Sequence, residues 1–228
     1  MCGMPPPVES YPQLNRPGVG VALASTWQVG DPTRQQAAVE AIASIWATRP
    51  WPLPDLISYS VLTSTNGDSL LHYSQWRTVE AARNRLAGDE LSSRRAEIDA
   101  AVPGIQRFGA HPYRPYRDAY RPGDARLPGC YVAVRIEFDG PDAQRQRRWV
   151  DGVFSAASTE QRPDGLIGAL FHLSLDGRRV LNLAEWTTER AHRDMIDKPP
   201  GSIRDAAQGF PGVTSIAFER YQLSCHFD

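Results

Sequence analysis

Cysteine is scarce in this chain of 228 residues. Its three copies, Cys2, Cys130 and Cys225, lie far apart. They form neither a disulfide framework nor a metal-ligand cluster, so no metal is expected. Long apolar runs are missing too. The longest fall well short of the ~20 residues a membrane helix needs, so no membrane partner is expected. Charge of one sign is not in excess: the net charge is −1, which gives no reason to expect nucleic acid or an anionic surface as partner. The start, "MCGMPPPVESYPQLNRPG", lacks the basic stretch and apolar core of a signal peptide. No G-x-G-x-x-G follows a strand-like run, so no built-in dinucleotide site is expected. What is present, 41% hydrophobic and 22% charged residues, has the balance of a soluble globular protein, read here as cytoplasmic.

The chain also repeats itself. "VLNLAEWTTERAH" (180–192) echoes "LLHYSQWRTVEAA" (70–82), with Trp76 and Trp186 110 residues apart. Leu56-Ile57 and Leu166-Ile167, Gly67 and Gly177, Gly30 and Gly140, Thr78 and Thr188, and Arg83 and Arg193 share that offset. Downstream the offset becomes 108, where Pro103-Gly104 answers Pro211-Gly212. So constant a spacing marks a duplicated domain.

Each copy begins with a β-like run, "GVALASTWQV" or "CYVAVRIEF". An Asp with Pro beside it then opens a helical stretch, 33–47 or 142–157. Two strand-like runs follow around Asn66-Gly67 or Asp176-Gly177, a strong hairpin signal. Two short helices come next (78–86 and 91–101; 188–196 and 202–208), and then a final strand. This order is βαββαβ with a broken second helix, the ferredoxin-like arrangement of an α+β protein. The expected organisation is a flexible N-terminal arm (1–17), domain 1 (18–112), a Pro- and Arg-rich linker (113–128) and domain 2 (129–228). A sheet with helices on one face leaves its other face apolar, so the two copies are expected to bury those faces as an intramolecular dimeric α+β barrel. Further pairing into a homodimer stays open. Alternation puts Asn182, Ala184 and Trp186 on one strand face, and His72, Ser74 and Trp76 on the matching face of copy one. If the apolar face meets the other sheet, these polar residues lie under the helices.

The hairpin "HLSLDGRRVLNLAEW", the "TTERAHR" after it and "SIRDAAQGFPG" resemble the antibiotic biosynthesis monooxygenases, and most nearly the anthrone oxygenases among them. The resemblance covers most of copy two, and copy one with more departures. It implies a dimeric α+β barrel. It also implies an oxygenase that takes O₂ as substrate and acts on a polycyclic aromatic phenol or anthrone, giving a quinone or an oxidatively opened ring. In those enzymes the third strand presents an Asn four residues before a Trp, and a later short helix presents an Arg. The positions here are Asn182, Trp186 and Arg204. The family's Tyr is replaced by His192. Copy one keeps Trp76 but has His72 for the Asn and Ala82 for the Tyr. Near the Arg position it has Ala96, with Arg94 and Arg95 just upstream. By this pattern copy two carries the site.

Such chemistry needs a substrate that reduces O₂ itself, inside a pocket that excludes water and stabilises an enolate and then a peroxide anion. Asn182 would hydrogen-bond the carbonyl or peroxy group. Trp186 would stack or donate its N–H, and Arg204 would lower the cost of the anion. His192 or His172 would serve as base. Phe171, His172, His72 and Trp76 are the expected substrate contacts. No cofactor is required by the sequence; a reduced flavin, where used, would enter the same pocket as a diffusible co-substrate. Haem degradation, found in the same superfamily, needs a His where Leu86 or Ile196 stands, which argues against it. Plainer roles exist for each residue: Trp76 and Trp186 as core anchors, Arg204 as a solvated residue, His192 as an exposed one. The competing reading is a non-catalytic ligand-binding or assembly protein that kept the fold.

Overall fold

The computed structural model describes residues 10–51, 53–87, 89–197 and 201–228, with side chains omitted for 85–91. The elements in chain order are β1 (Val21–Gln28), α1 (Pro32–Thr48), β2 (Leu56–Ser64), β3 (Ser69–Trp76), α2 (Val79–Ala87), α3 (Asp89–Ala101) and β4 (Gln106–Asp118). The same order then repeats as β5 (Cys130–Phe138), α4 (Ala143–Ala157), β6 (Leu166–Ser174), β7 (Arg179–Trp186), α5 (Glu189–Asp197), α6 (Gly201–Gln208) and β8 (Val213–Phe227). The chain is α+β, and each copy follows the ferredoxin-like order. No described helix is long and apolar enough to cross a membrane.

Two compact units result. The first reaches Pro112 and includes Tyr221–Asp228; the second is Tyr113–Arg220. In the first, strands lie in the order β4-β1-β3-β2-β8, and in the second β8-β5-β7-β6-β4. The long strands β4 and β8 therefore each serve both units. Residues 113–118, expected to be linker, are the far half of β4, where Tyr113 pairs with Ser174 and Arg117 with Phe171. Pro112 and Pro115 hid this strand, because proline removes a ladder donor and is confined to sheet edges and irregularities. A register shift falls between Pro115 and Arg117. Similarly, Tyr221–Phe227 pair with β2 of the first unit, although the sequence placed them with domain 2.

The local causes are repeated as faithfully as the elements. Asp31 caps α1 by accepting from Arg34 N, and Asp142 caps α4 by accepting from Gln144 N and Arg145 N. Gly67 (φ 85°) and Gly177 (φ 75°) close the two hairpins in the left-handed region that a side chain disfavours. One helix glutamine latches onto each hairpin. Gln35 Nε2 donates to Ser64 O and Ser69 O at 3.1 and 2.8 Å. Gln146 Nε2 donates to Ser174 Oγ and Arg179 O at 3.0 and 2.5 Å.

The helices cover the sheet face that carries His72 and Trp76, or Asn182 and Trp186. On that face Ala38, Val39, Ile42 and Ile45 of α1 pack with Trp27, Val61 and Leu70. Trp149, Val150 and Val153 of α4 pack with Phe171, Ala184 and Trp186. Burying each large apolar side chain contributes about 2 kcal/mol. The expected flexible arm is packed where it is described: Leu14 is buried, and Gln75 Nε2 donates to Leu14 O at 2.7 Å and to Gln13 O at 3.2 Å. Residues 1–9 lie outside the described part.

Candidate active site

In the first unit, a cavity of about 100 Å³ opens between the helix-covered sheet face and helices α1 and α3. That exceeds the share of a single water molecule several-fold. Its walls are aromatic: Trp27 from β1, Trp46 from α1, Tyr59 from β2, and His72 and Trp76 from β3. Strand alternation explains the gathering, because Ser25 and Val61 flank His72 in register and Leu23 and Tyr59 flank Ser74. Trp46 stacks on Tyr59 at 4.4 Å between centroids, and Trp27 lies 4.0 Å from the His72 ring. Trp76 Nε1 donates to Ser74 Oγ at 2.9 Å. The wall is thus pre-formed, aromatic and largely apolar, as suits an aromatic ligand.

Polar chemistry enters at two points. The Tyr59 hydroxyl meets His72 Nδ1 at 2.6 Å. A phenol is a far stronger acid than a neutral imidazole N–H, so the hydroxyl donates and His72 carries its proton on Nε2. That Nε2 is buried and has no partner among the described residues. Burial first, then the charges of Arg107 and Arg95, push the His72 pKa down to about 3, so the ring stays neutral. The second point is the pair Arg94 and Arg95, the only charged residues in the lining among the described residues. Arg94 lies over Trp46 at 4.7 Å, while the nearby Arg107 lies over Trp27 at 4.2 Å.

In the second unit the matching layer holds larger apolar groups. Phe154 meets Phe171 edge-on at 5.3 Å, and Trp149, Trp186, Met195, Ile203 and Phe210 belong to the same cluster. Asn182 sits on this face, paired in register with Phe171. Its Oδ1 and the Trp186 Nε1 are buried without partners among the described residues; Ala184, standing where Ser74 serves Trp76, offers no hydroxyl. The other expected members are elsewhere. Arg204 is a surface residue of α6, its side chain 54% exposed and 3.8 Å from Asp205, so it cannot stabilise an anion beside Asn182. His192 is not exposed but buried, edge-on to Trp186 at 5.0 Å and to Phe218 at 5.3 Å. Arg220 Nε donates to its Nδ1 at 2.9 Å, and burial and that guanidinium push its pKa down to about 4. With Nδ1 engaged and basicity lost, it is unsuited to the role of base. His172 shares its face with Leu181, opposite to Phe171 and Asn182. It is fully buried, its pKa is pushed down to about 4 by burial, and its Nδ1 lies 3.2 Å from Leu181 O. It therefore neither serves as base nor touches a ligand in this layer. Phe171 does lie in it.

No family model and no curated protein sequence matches the chain. Solved structures do. A crystal structure of an anthrone oxidase-like protein superposes with a TM-score of 0.70 at 15% identity, over 91% of this chain and 92% of that one. The chain shares that protein's fold. A candidate monooxygenase from Lactobacillus acidophilus NCFM matches with a TM-score of 0.58 at 7% identity, over 91% of this chain and 95% of its own. Another from Fusobacterium nucleatum subsp. nucleatum matches with a TM-score of 0.58 at 6% identity, over 92% and 94%.

Within this shared fold, a few positions explain why the first unit is open. The offset of 108 that aligns the last strands sets Ala110 against Phe218, and the offset of 110 sets Ala82 against His192. Two alanines thus stand where an aromatic pair fills the second unit. Conversely Tyr59, Arg94 and Arg95 stand where the second unit has Ala169, Ser202 and Ile203. Sequence reasoning named His72 and Trp76 as contacts but did not single out Trp27, Trp46 or Tyr59. The period-2 alternation of β2 already placed Tyr59 in the helix-facing set, and the helical period of α1 did the same for Trp46.

Proposed function

We propose that this protein is an oxygenase that uses the first unit's cavity to oxidise a polycyclic phenol or anthrone-type substrate with O₂, of the kind made in aromatic polyketide pathways. The observation that carries this reading is the buried Nε2–H of a neutral His72, unpartnered among the described residues, in an aromatic cavity whose charged lining among those residues consists of guanidiniums. An anthrone that gives a ring CH proton to solvent before it is enclosed becomes an electron-rich enolate. His72 Nε2–H donates to its oxygen, and the positive charges of Arg94 and Arg95 favour the anion from the wall of a mainly aromatic cavity. Tyr59 O–H on Nδ1 fixes the tautomer and strengthens the donor. The enolate gives one electron to O₂, and the resulting radicals combine into a carbon-bound peroxide. Breaking its O–O bond with loss of the second ring CH proton leaves a carbonyl and water. The balance is one CH₂ and one O₂ converted to one C=O and one H₂O. Trp27, Trp46 and Trp76 hold the ring system flat.

The fold similarity to the anthrone oxidase-like protein and the two candidate monooxygenases supports the reaction class, and the wall of tryptophans supports the substrate shape. The test is to incubate the purified protein with an anthrone under air, with and without added reduced flavin, following oxygen uptake and quinone absorbance. The expected result is catalytic quinone formation with one O₂ consumed per quinone. Ligand binding without oxygen uptake under either condition would contradict the oxygenase assignment and leave a binding protein.

A further inference from the structure

Arg95 is a charge that the cavity leaves unanswered. Its neighbours are engaged: Arg107 donates to Asp99 through two nitrogens, at 2.7 and 3.3 Å, and Arg94 donates to Pro50 O at 3.3 Å. Glu97, on the same helix, pairs with Arg49. The Arg95 Nε is buried and without a partner, and no carboxylate lines the cavity among the described residues. Burial and the like charge of Arg107 lower the Arg95 pKa, with Asp99 and Tyr59 acting in the opposite sense. A buried donor left unmatched on a charged group costs on the order of 1–3 kcal/mol. A ligand anion would recover that cost. The corresponding residue of the second unit is Ile203, so nothing in the fold demands a cation here.

We infer that the first unit's cavity takes an aromatic ligand that bears a carboxylate, with the carboxylate on Arg95 and the ring system against the Trp27–His72 and Trp46–Tyr59 walls. The planar guanidinium fork matches the two oxygens of a carboxylate in geometry as well as charge. His72 Nε2–H remains available for a second oxygen, that of the phenol or ketone. A phosphate ester suits the site less well, because its larger hydration must be stripped inside a mainly aromatic cavity. The inference rests on reading this cavity as the substrate site, and it names the functional group that a substrate carries besides its reactive ring.

The test uses ligands already at the quinone level, so that turnover plays no part. Anthraquinone-2-carboxylate and anthraquinone-2-carboxamide are titrated separately into the full-length protein, with quenching of tryptophan fluorescence as the readout. The carboxylate is expected to bind roughly tenfold or more tightly than the carboxamide, the size of one charge-assisted hydrogen bond. Arg95→Gln should abolish that preference by weakening the carboxylate far more than the carboxamide, and Arg95→Lys should retain part of it. Thermal melts of both variants establish that they fold. Equal affinities in the wild type, a preference that survives Arg95→Gln, or no binding of either ligand would overturn the inference. The carboxylate preference without oxygen uptake on an anthrone would uphold it while removing the oxygenase reading; uptake without the preference would do the reverse.

Discussion

Glu185 shows how one atom separates the two copies. In the first unit its position is held by Gln75, whose amide accepts from Ser58 Oγ at 2.8 Å and donates to Gln13 O and Leu14 O. In the second, Glu185 is buried and accepts from Tyr120 O–H at 2.7 Å, while a side chain at Gly168 would overlap the Tyr120 ring. Burial pushes the Glu185 pKa up to about 7, against a smaller opposing effect of the tyrosine bond. The native state thus holds this proton more tightly than the unfolded chain does. Its stabilising contribution is full below the ordinary value of 4.5 and is lost as pH rises through about 7. Glu185→Gln should therefore flatten the pH dependence of stability between these limits and add about 2 kcal/mol at pH 8 in urea unfolding. An unchanged slope over that interval would show that the carboxyl is not protonated on folding.

At the scale of elements, much of the structure was legible because its causes are local. Asp31 and Asp142 mark helix starts, Gly67 and Gly177 mark turns, and alternation around Trp76 and Trp186 marks strand faces. What was not legible depends on side-chain volume across elements distant in sequence. Ala82 of α2 and Ala110 of β4 leave room beneath the sheet, whereas His192 and Phe218 occupy it in the other copy. A reading of family positions favours Asn182 because it keeps the expected amide, but it cannot register that its surroundings are crowded and that Arg204 points to solvent. The space beside Ala110 is open to a direct test. Ala110→Phe should leave the first unit folded and lower affinity for a flat aromatic ligand by about tenfold or more, since the added ring takes the space the ligand needs. Unaltered affinity in a fluorescence titration would mean that the ligand binds elsewhere.

On the scale of the whole molecule, the chain is one ferredoxin-like plan written twice and then diversified. The scaffold is retained in both copies: helix caps, the glutamine latches Gln35 and Gln146, and the hairpin glycines. The residues that could act on a ligand diverge. The repeat was readable from the spacing of Trp76 and Trp186. The shared strands β4 and β8 were not, because prolines and arginines broke the pattern at 112–117 and because strand pairing partners are not encoded locally. The central claim is that chemistry belongs to the first copy, with His72 in the position that Asn182 holds in the second. The most direct measurement is oxygen uptake on an anthrone by His72→Ala and Asn182→Ala side by side, each checked for folding by circular dichroism. Removing the His72 N–H donor should lower kcat by about a hundredfold, the usual loss for one oxyanion donor, while Asn182→Ala stays near wild type. A loss confined to Asn182→Ala, with His72→Ala fully active, would place the site in the second unit and contradict this account.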